Sequence, residues 1–296
     1  MIKRFIPYLE ILGNELILDD SKPYRQTDAV ELARYYESAG ADEIMLIERS
    51  NYNDRSEKLI SLVEKMMQEL FLPISVSGGI DSVSKIRQFI RAGAVKTCIS
   101  SYITKHPEFL QEASENIGAE YLSLLIIYRK TENSEYKVFS KSGKSMYSDV
   151  FKLIDFAQDY VSEIIVKPWE PTNNSGEIDL NFAQKLSENR KIPIIFGIDT
   201  NYIDKSILSD FFTQTQISGI LAANIFHNPL STILKLKRSL KQNLIPVRLS
   251  VDCLNKHVTR KTGQIGINLL ESNPKKDSEL LKSIDKAQED EDISQY

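Results

Sequence analysis

Short apolar runs rich in β-branched residues alternate along the chain with longer stretches whose apolar positions recur at helical spacing. The clearest case runs from Leu72 to Ser101. LPISVSGGID reads as a buried strand ending in a Gly-Gly turn, and SVSKIRQFIRAG carries the stripe Val83, Ile86, Phe89, Ile90 of an amphipathic helix. AVKTCISS then returns to a buried strand, completing a βαβ unit. The same grammar recurs about 120 residues later as IPIIFGID (Ile192 to Asp199), a helix, and ISGILAAN (Ile217 to Asn224). The pattern predicts an α/β fold, a (β/α)8 TIM barrel built from two half-barrel repeats over residues 1–249. Residues 250–296 break the pattern and form a C-terminal extension, partly helical or disordered.

Within that frame RFIPYLEIL (Arg4 to Leu12) is the first strand, with Pro7 marking a bulge or an irregular start. Thr27 or Asp28 caps the helix AVELARYYESAG, which ends on Gly40. EIMLIE is the second strand, and the helix after it places Met66 and Met67 in the core. YLSLLII is the fifth strand, and the polar stretch RKTENSEYKVFSKSGKS behind it forms a hairpin on the barrel's mouth. EIIVKPW is the sixth strand, with Trp169 lining the mouth or closing the core.

Composition removes several function classes. The 296 residues, 42% hydrophobic and 26% charged, suit one large core. No apolar run reaches the roughly 20 residues of a membrane span, and MIKRFIPYLEIL does not read as a signal peptide, so a cytoplasmic protein without a membrane partner is expected. A net charge of −4 gives no general attraction to nucleic acid. Cys98 and Cys253 cannot make a disulfide framework. His106, His227 and His257 are scattered without a ligand pair at i, i+4, so neither a metal nor a cofactor is expected.

Together RFIPYLEI, GADEIMLIE, VSGGID, GAVKTCISS and LAANIFHNP resemble the cyclase subunit of imidazole glycerol phosphate synthase, in the HisA/HisF histidine-biosynthesis barrel family, over about residues 1–249. The resemblance implies two acid/base aspartates at the mouth, on the first and fifth strands, because proton transfer in both directions needs two titratable groups. Glu10 matches the first with one more methylene; Ile127 stands at the second and cannot move a proton. Tyr128 beside it is turned the other way by strand alternation. Leu18 replaces the family's lysine after the first strand, and Glu48 matches an active-site aspartate on the second.

The resemblance also implies a ligand with a phosphate at each end, held by glycine and small-hydroxyl loops. Ser77, Gly78, Gly79, Ser100 and Ser101 retain one such site. Gly197 and Asn224 mark the other, where Asp199 introduces a negative charge. At the opposite end Arg4, Glu43, Lys96 and Glu163 match the family's closed ring of salt-bridged charges, the ammonia gate above which a glutaminase docks. Ser75, Ser123 and Ala222 are small enough to line a passage behind it.

The favoured expectation is therefore a HisF-like subunit of a glutamine amidotransferase system. It docks a class I glutaminase and channels ammonia to an acceptor on a phosphorylated small molecule or a third enzyme, without normal cyclase activity, in a setting such as surface-sugar amidation. Two alternatives stand beside it: an active cyclase (lyase) of histidine biosynthesis in which Glu10 and Glu48 share the acid/base work, and a non-catalytic structural or regulatory barrel.

Overall fold

A computed structural model describes residues 1–12, 15–17, 28–49, 56–140, 145–169, 178–200, 202–227 and 232–249. Leu18 and the extension 250–296 lie outside the described residues.

In chain order the elements are β1 (Arg4–Leu12), β2 (Glu15–Leu16), α1 (Ala29–Ser38), β3 (Ile44–Glu48), α2 (Ser56–Glu69), β4 (Ile74–Ser77), α3 (Val83–Arg91), β5 (Lys96–Ile99) and α4 (Glu108–Ile117). The second half continues with β6 (Leu122–Lys130), β7 (Tyr136–Ser140), β8 (Ser145–Asp149), α5 (Val150–Ala157), β9 (Glu163–Pro168), α6 (Leu180–Ser187), β10 (Ile194–Ile198), α7 (Lys205–Gln214), β11 (Gly219–Ala222) and α8 (Ile233–Gln242). Eight strands pair in parallel in the order β1, β3, β4, β5, β6, β9, β10, β11, and β11 pairs back onto β1. The ring is a closed (β/α)8 barrel. β2 adds to β1, and the β7–β8 hairpin adds to β6, both antiparallel.

Each barrel strand is buried on both faces, which is why the strands read as continuous apolar runs. One face meets the helices. The other fills the barrel with Ile6, Tyr8, Met45, Cys98, Leu125, Ile165, Ile195, Leu221 and Ala223. That division fixes which side chains point inward, and it corrects one expectation: Ala222 packs with the helix-side core, while Leu221 and Ala223 line the interior.

Two local expectations also change. β1 is regular through Pro7, which pairs with Ala222. Arg4 donates its amide to Ser218 O and Phe5 turns its own to Asp42, so alternation aims the donor that Pro7 lacks at β3, whose register with β1 begins only at Tyr8. On α2, Met66 is fully buried but Met67 lies on the exposed side, where its Cγ would stand 2.8 Å from a Cβ built on Gly93.

Side-chain caps begin the helices as the sequence indicates: Asp28 accepts from Val30 and Glu31, Asp149 from Phe151 and Lys152, and Asp179 from Phe182. Asp179 does more. It also accepts from Tyr136 Oη at 2.6 Å and Lys130 Nζ at 2.9 Å, and the Tyr136 ring stacks on Phe182 at 3.7 Å, so the hairpin is pinned to the start of α6. Trp169 packs against Phe139 of the same hairpin. α8 closes the ring through fully buried Lys237, whose amine reaches Asp42 at 2.6 Å and Gly40 O at 2.7 Å, while Asp42 accepts the Phe5 amide at 2.8 Å.

Candidate functional site

The N-terminal ends of the strands form a charged floor. Arg4 enters from β1, Glu43 from the residue before β3, Lys96 from β5 and Glu163 from β9. Arg4 bridges Glu43 at 3.2 Å and also pairs with Glu163, which Lys96 reaches at 3.0 Å. Gly219 makes room for this arrangement, since a Cβ there would stand 2.5 Å from Arg4 O. The four charges form an open chain, Glu43–Arg4–Glu163–Lys96. The expected closed ring is not made, because β4 lies between the strands that carry Glu43 and Lys96 and no ion pair joins those two among the described residues.

The two carboxylates differ electrostatically. Burial alone would raise the pKa of Glu163, but Arg4 and Lys96 together hold it below the ordinary glutamate value. Burial, reinforced by Glu163, pushes Glu43 upward, and Arg4 opposes this only in part. Along the inner wall from the charges, the buried Ser75 hydroxyl lies beside Glu43 and that of Ser123 beside Cys98, neither in close hydrogen-bonding geometry. Beside them the buried Cys98 thiol has its pKa pushed up to about 12, chiefly by burial, which keeps it protonated.

The C-terminal ends form the mouth. Glu10 shares the inward face of β1 with Ile6 and Tyr8, and its carboxylate takes Arg49 at 3.0 Å. Ile127 points inward and is half-buried. Tyr128 faces the helices among Tyr136 and Phe182, where burial raises its hydroxyl pKa; it takes no part in the site. Alternation places Glu48 on the face of Leu46, opposite the inward Ile47, so Glu10 and Glu48 do not share one face.

Gly78 and Gly79 both adopt positive φ, at +106° and +64°. A Cβ on Gly78 would lie 2.4 Å from Glu48 O, so only glycine fits there, whereas nothing stands within 4 Å of the same position on Gly79. Lys85 from the first turn of α3 reaches Gly79 O and Asp81, each at 3.0 Å. The expected hydroxyls are engaged elsewhere: Ser77 Oγ donates to Cys98 O and Ser100 Oγ to Leu125 O, both at 2.9 Å. Ser101 is exposed and opens a 3-10 turn. The Ser77 and Ser100 side chains are thus committed to carbonyls of the barrel wall.

In the other half, Gly197 is occupied from outside. A Cβ there would meet Lys167 Cα at 2.7 Å, and the Lys167 amine pairs with Asp199 at 3.1 Å and lies 5.2 Å from the centre of the Tyr8 ring. Asn224 begins the turn Asn224–His227; the side chains of both lie outside what is described. Sequence reading missed Lys167, although it shares the parity of Glu163 and Ile165 in EIIVKPW and is a lone cation in an apolar run. Among the described residues no three of His, Cys, Asp or Glu converge as a metal site requires, and no helix is long and apolar enough to cross a membrane.

Fold and site together define a (β/α)8 barrel with a charge-linked floor and a polar mouth, the mouth lying at the end where such barrels carry their chemistry. The chain belongs to the histidine-biosynthesis barrel family: the family profile described as histidine biosynthesis protein matches residues 15–231. It is similar to imidazole glycerol phosphate synthase subunit HisF of Bacillus cereus strain G9842, 29% identical over 84% of this chain and 100% of the relative. The subunit of the same name from strain Q1 is 28% identical over the same shares.

Proposed function

We propose that this barrel is the synthase-side subunit of a glutamine amidotransferase system. It docks a class I glutaminase on its floor, passes ammonia through its interior, and delivers it at the mouth to an acceptor: a phosphorylated small molecule held at Gly78 and Gly79, or a third enzyme. The observation that carries this reading is the contrast between the two ends. The floor keeps all four charges linked, whereas the mouth presents Ile127 where a second acid/base carboxylate is needed.

Further features of the floor support docking. Ile2, Val95, Tyr121 and Leu244 are all exposed, the first beside Lys3 of the Lys3–Val247 bridge, the next two beside strand starts and Leu244 just past the end of α8. Leu244 is 92% exposed and holds φ at +60°, a conformation that costs an ordinary residue about 1–2 kcal/mol. That conformation is the stop of α8, where the Leu244 amide meets Lys241 O and the Ile245 amide meets Leu240 O, and it leaves the leucine side chain outside. Paired charges limit the cost of covering the floor, and the open end of the chain, Lys96, can exchange partners without leaving Glu163 alone, because Arg4 stays. The buried hydroxyls of Ser75 and Ser123 are polar groups that a small hydrogen-bonding guest such as ammonia would meet along the wall.

Docking is checked by calorimetric titration of the barrel with the class I glutaminase of the same genome. Leu244→Asp and Val95→Asp weaken binding at least tenfold, and Ile127→Asp at the other end leaves it unchanged. Equal binding by all variants removes the floor as the interface.

A second reading, an active cyclase, draws support from Glu10, which keeps a carboxylate at the mouth, and from the name of the relatives. Losing one member of an acid/base pair costs on the order of 10²- to 10⁴-fold in rate. Rescue of a histidine auxotroph lacking its cyclase distinguishes the two readings: growth without histidine selects the cyclase.

A further inference from the structure

The two sides of the mouth are chemically unlike. Gly78 and Gly79 follow β4, the third strand of the ring, and Asp199 follows β10, the seventh, so the two stand across the opening from each other. The β4 side presents the Gly78–Gly79 backbone, with Lys85 of the adjoining helix turn bound to Gly79 O and Asp81. The β10 side offers Lys167 and Asp199, joined at 3.1 Å, with side chains only 10% and 14% exposed. This pair is held by the barrel wall. Lys167 projects from β9, its stem fills the space left by Gly197, and its amine rests over the Tyr8 ring.

We propose that Lys167 and Asp199 form a specificity pair that takes the uncharged, hydroxyl-bearing end of a sugar monophosphate and rejects the corresponding bisphosphate. The pair acts in this way only if the Gly78–Gly79 loop holds the phosphate, as proposed above. Its net charge is zero, so it has no surplus cation for a second phosphate. A dianion brought to the Lys167 amine also meets the Asp199 carboxylate in a setting where neither side chain is well solvated. A diol has no such conflict: one hydroxyl accepts from the ammonium and its neighbour donates to the carboxylate. Inward Ile47 and Ile127 supply apolar surface for the C–H face of a sugar ring.

The full-length chain is titrated calorimetrically with inorganic phosphate, ribose 5-phosphate, glucose 6-phosphate, fructose 6-phosphate and fructose 1,6-bisphosphate. At least one monophosphate binds tenfold or more tighter than inorganic phosphate, and fructose 1,6-bisphosphate binds no tighter than fructose 6-phosphate. Lys167→Met reduces the monophosphate to the level of inorganic phosphate, whose own affinity is unchanged. Asp199→Asn shifts the preference at least tenfold towards the bisphosphate. A tenfold preference of the unaltered chain for the bisphosphate overturns the specificity pair, a result that needs no variant to fold. So does phosphate binding with no gain for any monophosphate. Failure to bind inorganic phosphate overturns the anion-site reading itself, and the pair's role with it.

Discussion

Glu163 carries two cations and Glu43 carries one, and this inequality sets opposite pH dependences on the same floor. Glu163 has its pKa lowered, so the stability it contributes is present above the ordinary glutamate range and is lost as pH falls through its depressed value. Glu43 has its pKa raised, so its ionised form costs stability that appears as pH rises from the ordinary value through the raised one. Glu163→Gln leaves Lys96 without its anion and Arg4 with one, and should lower stability near neutral pH by about 3 kcal/mol. Glu43→Gln should change it by less than about 1 kcal/mol, or raise it. Urea titrations across the acid range check both, and an equal loss in the two variants contradicts the assignment. In the mouth loop, Gly78→Ala should cost about 2–3 kcal/mol through its positive φ and the collision with Glu48 O, and Gly79→Ala about 1 kcal/mol through φ alone, read from thermal melts. The four floor charges were legible through the family resemblance, which supplies their positions, each at or beside the start of an apolar run. Lys167 was not, since an inward lysine and an outward one look the same until strand parity is anchored.

Elements were largely legible because period, cap and turn residues agree. Ser82, Asp149 and Asp179 begin helices where polar residues precede apolar stripes, and the hairpin after β6 stands where a polar excursion interrupts the βα rhythm. What stayed hidden depends on partners distant in the chain. Pro7 is harmless because of where β3 begins to pair, Met67 lies on the exposed side of α2 with its stem against Gly93, and the direction of Ala222 follows from which face of β11 meets the helices. The tie between α8 and the loop before β3 is of the same kind: nothing local marks Lys237 as a buried ion-pair member. Lys237→Ala should cost about 3–5 kcal/mol, because Asp42 is then a buried charge without its cation. In an Asp42→Asn background, the same Lys237→Ala should cost at least about 2 kcal/mol less than it costs alone, since the side chain at 42 still accepts the Phe5 amide and no charge is stranded. A double-mutant cycle by urea unfolding measures the coupling.

At the scale of the whole molecule the two ends of the barrel differ in chemistry. Strand starts collect charges that neutralise one another beside exposed apolar side chains, and strand ends collect glycine backbone, an ion pair and one paired carboxylate. The inner wall between them is apolar except for the Cys98 thiol and the hydroxyls of Tyr8, Ser75, Ser77 and Ser123. In the proposed function this wall is the path of ammonia from floor to mouth. The most direct test is the rate of glutamine hydrolysis by the class I glutaminase, alone and with the barrel carrying either its own residues or Arg4→Ala or Lys96→Ala. The account predicts stimulation by the unaltered barrel, reduced at least tenfold by either substitution while Glu10→Gln at the mouth leaves it intact; hydrolysis indifferent to the barrel, or stimulation indifferent to the floor charges, contradicts it.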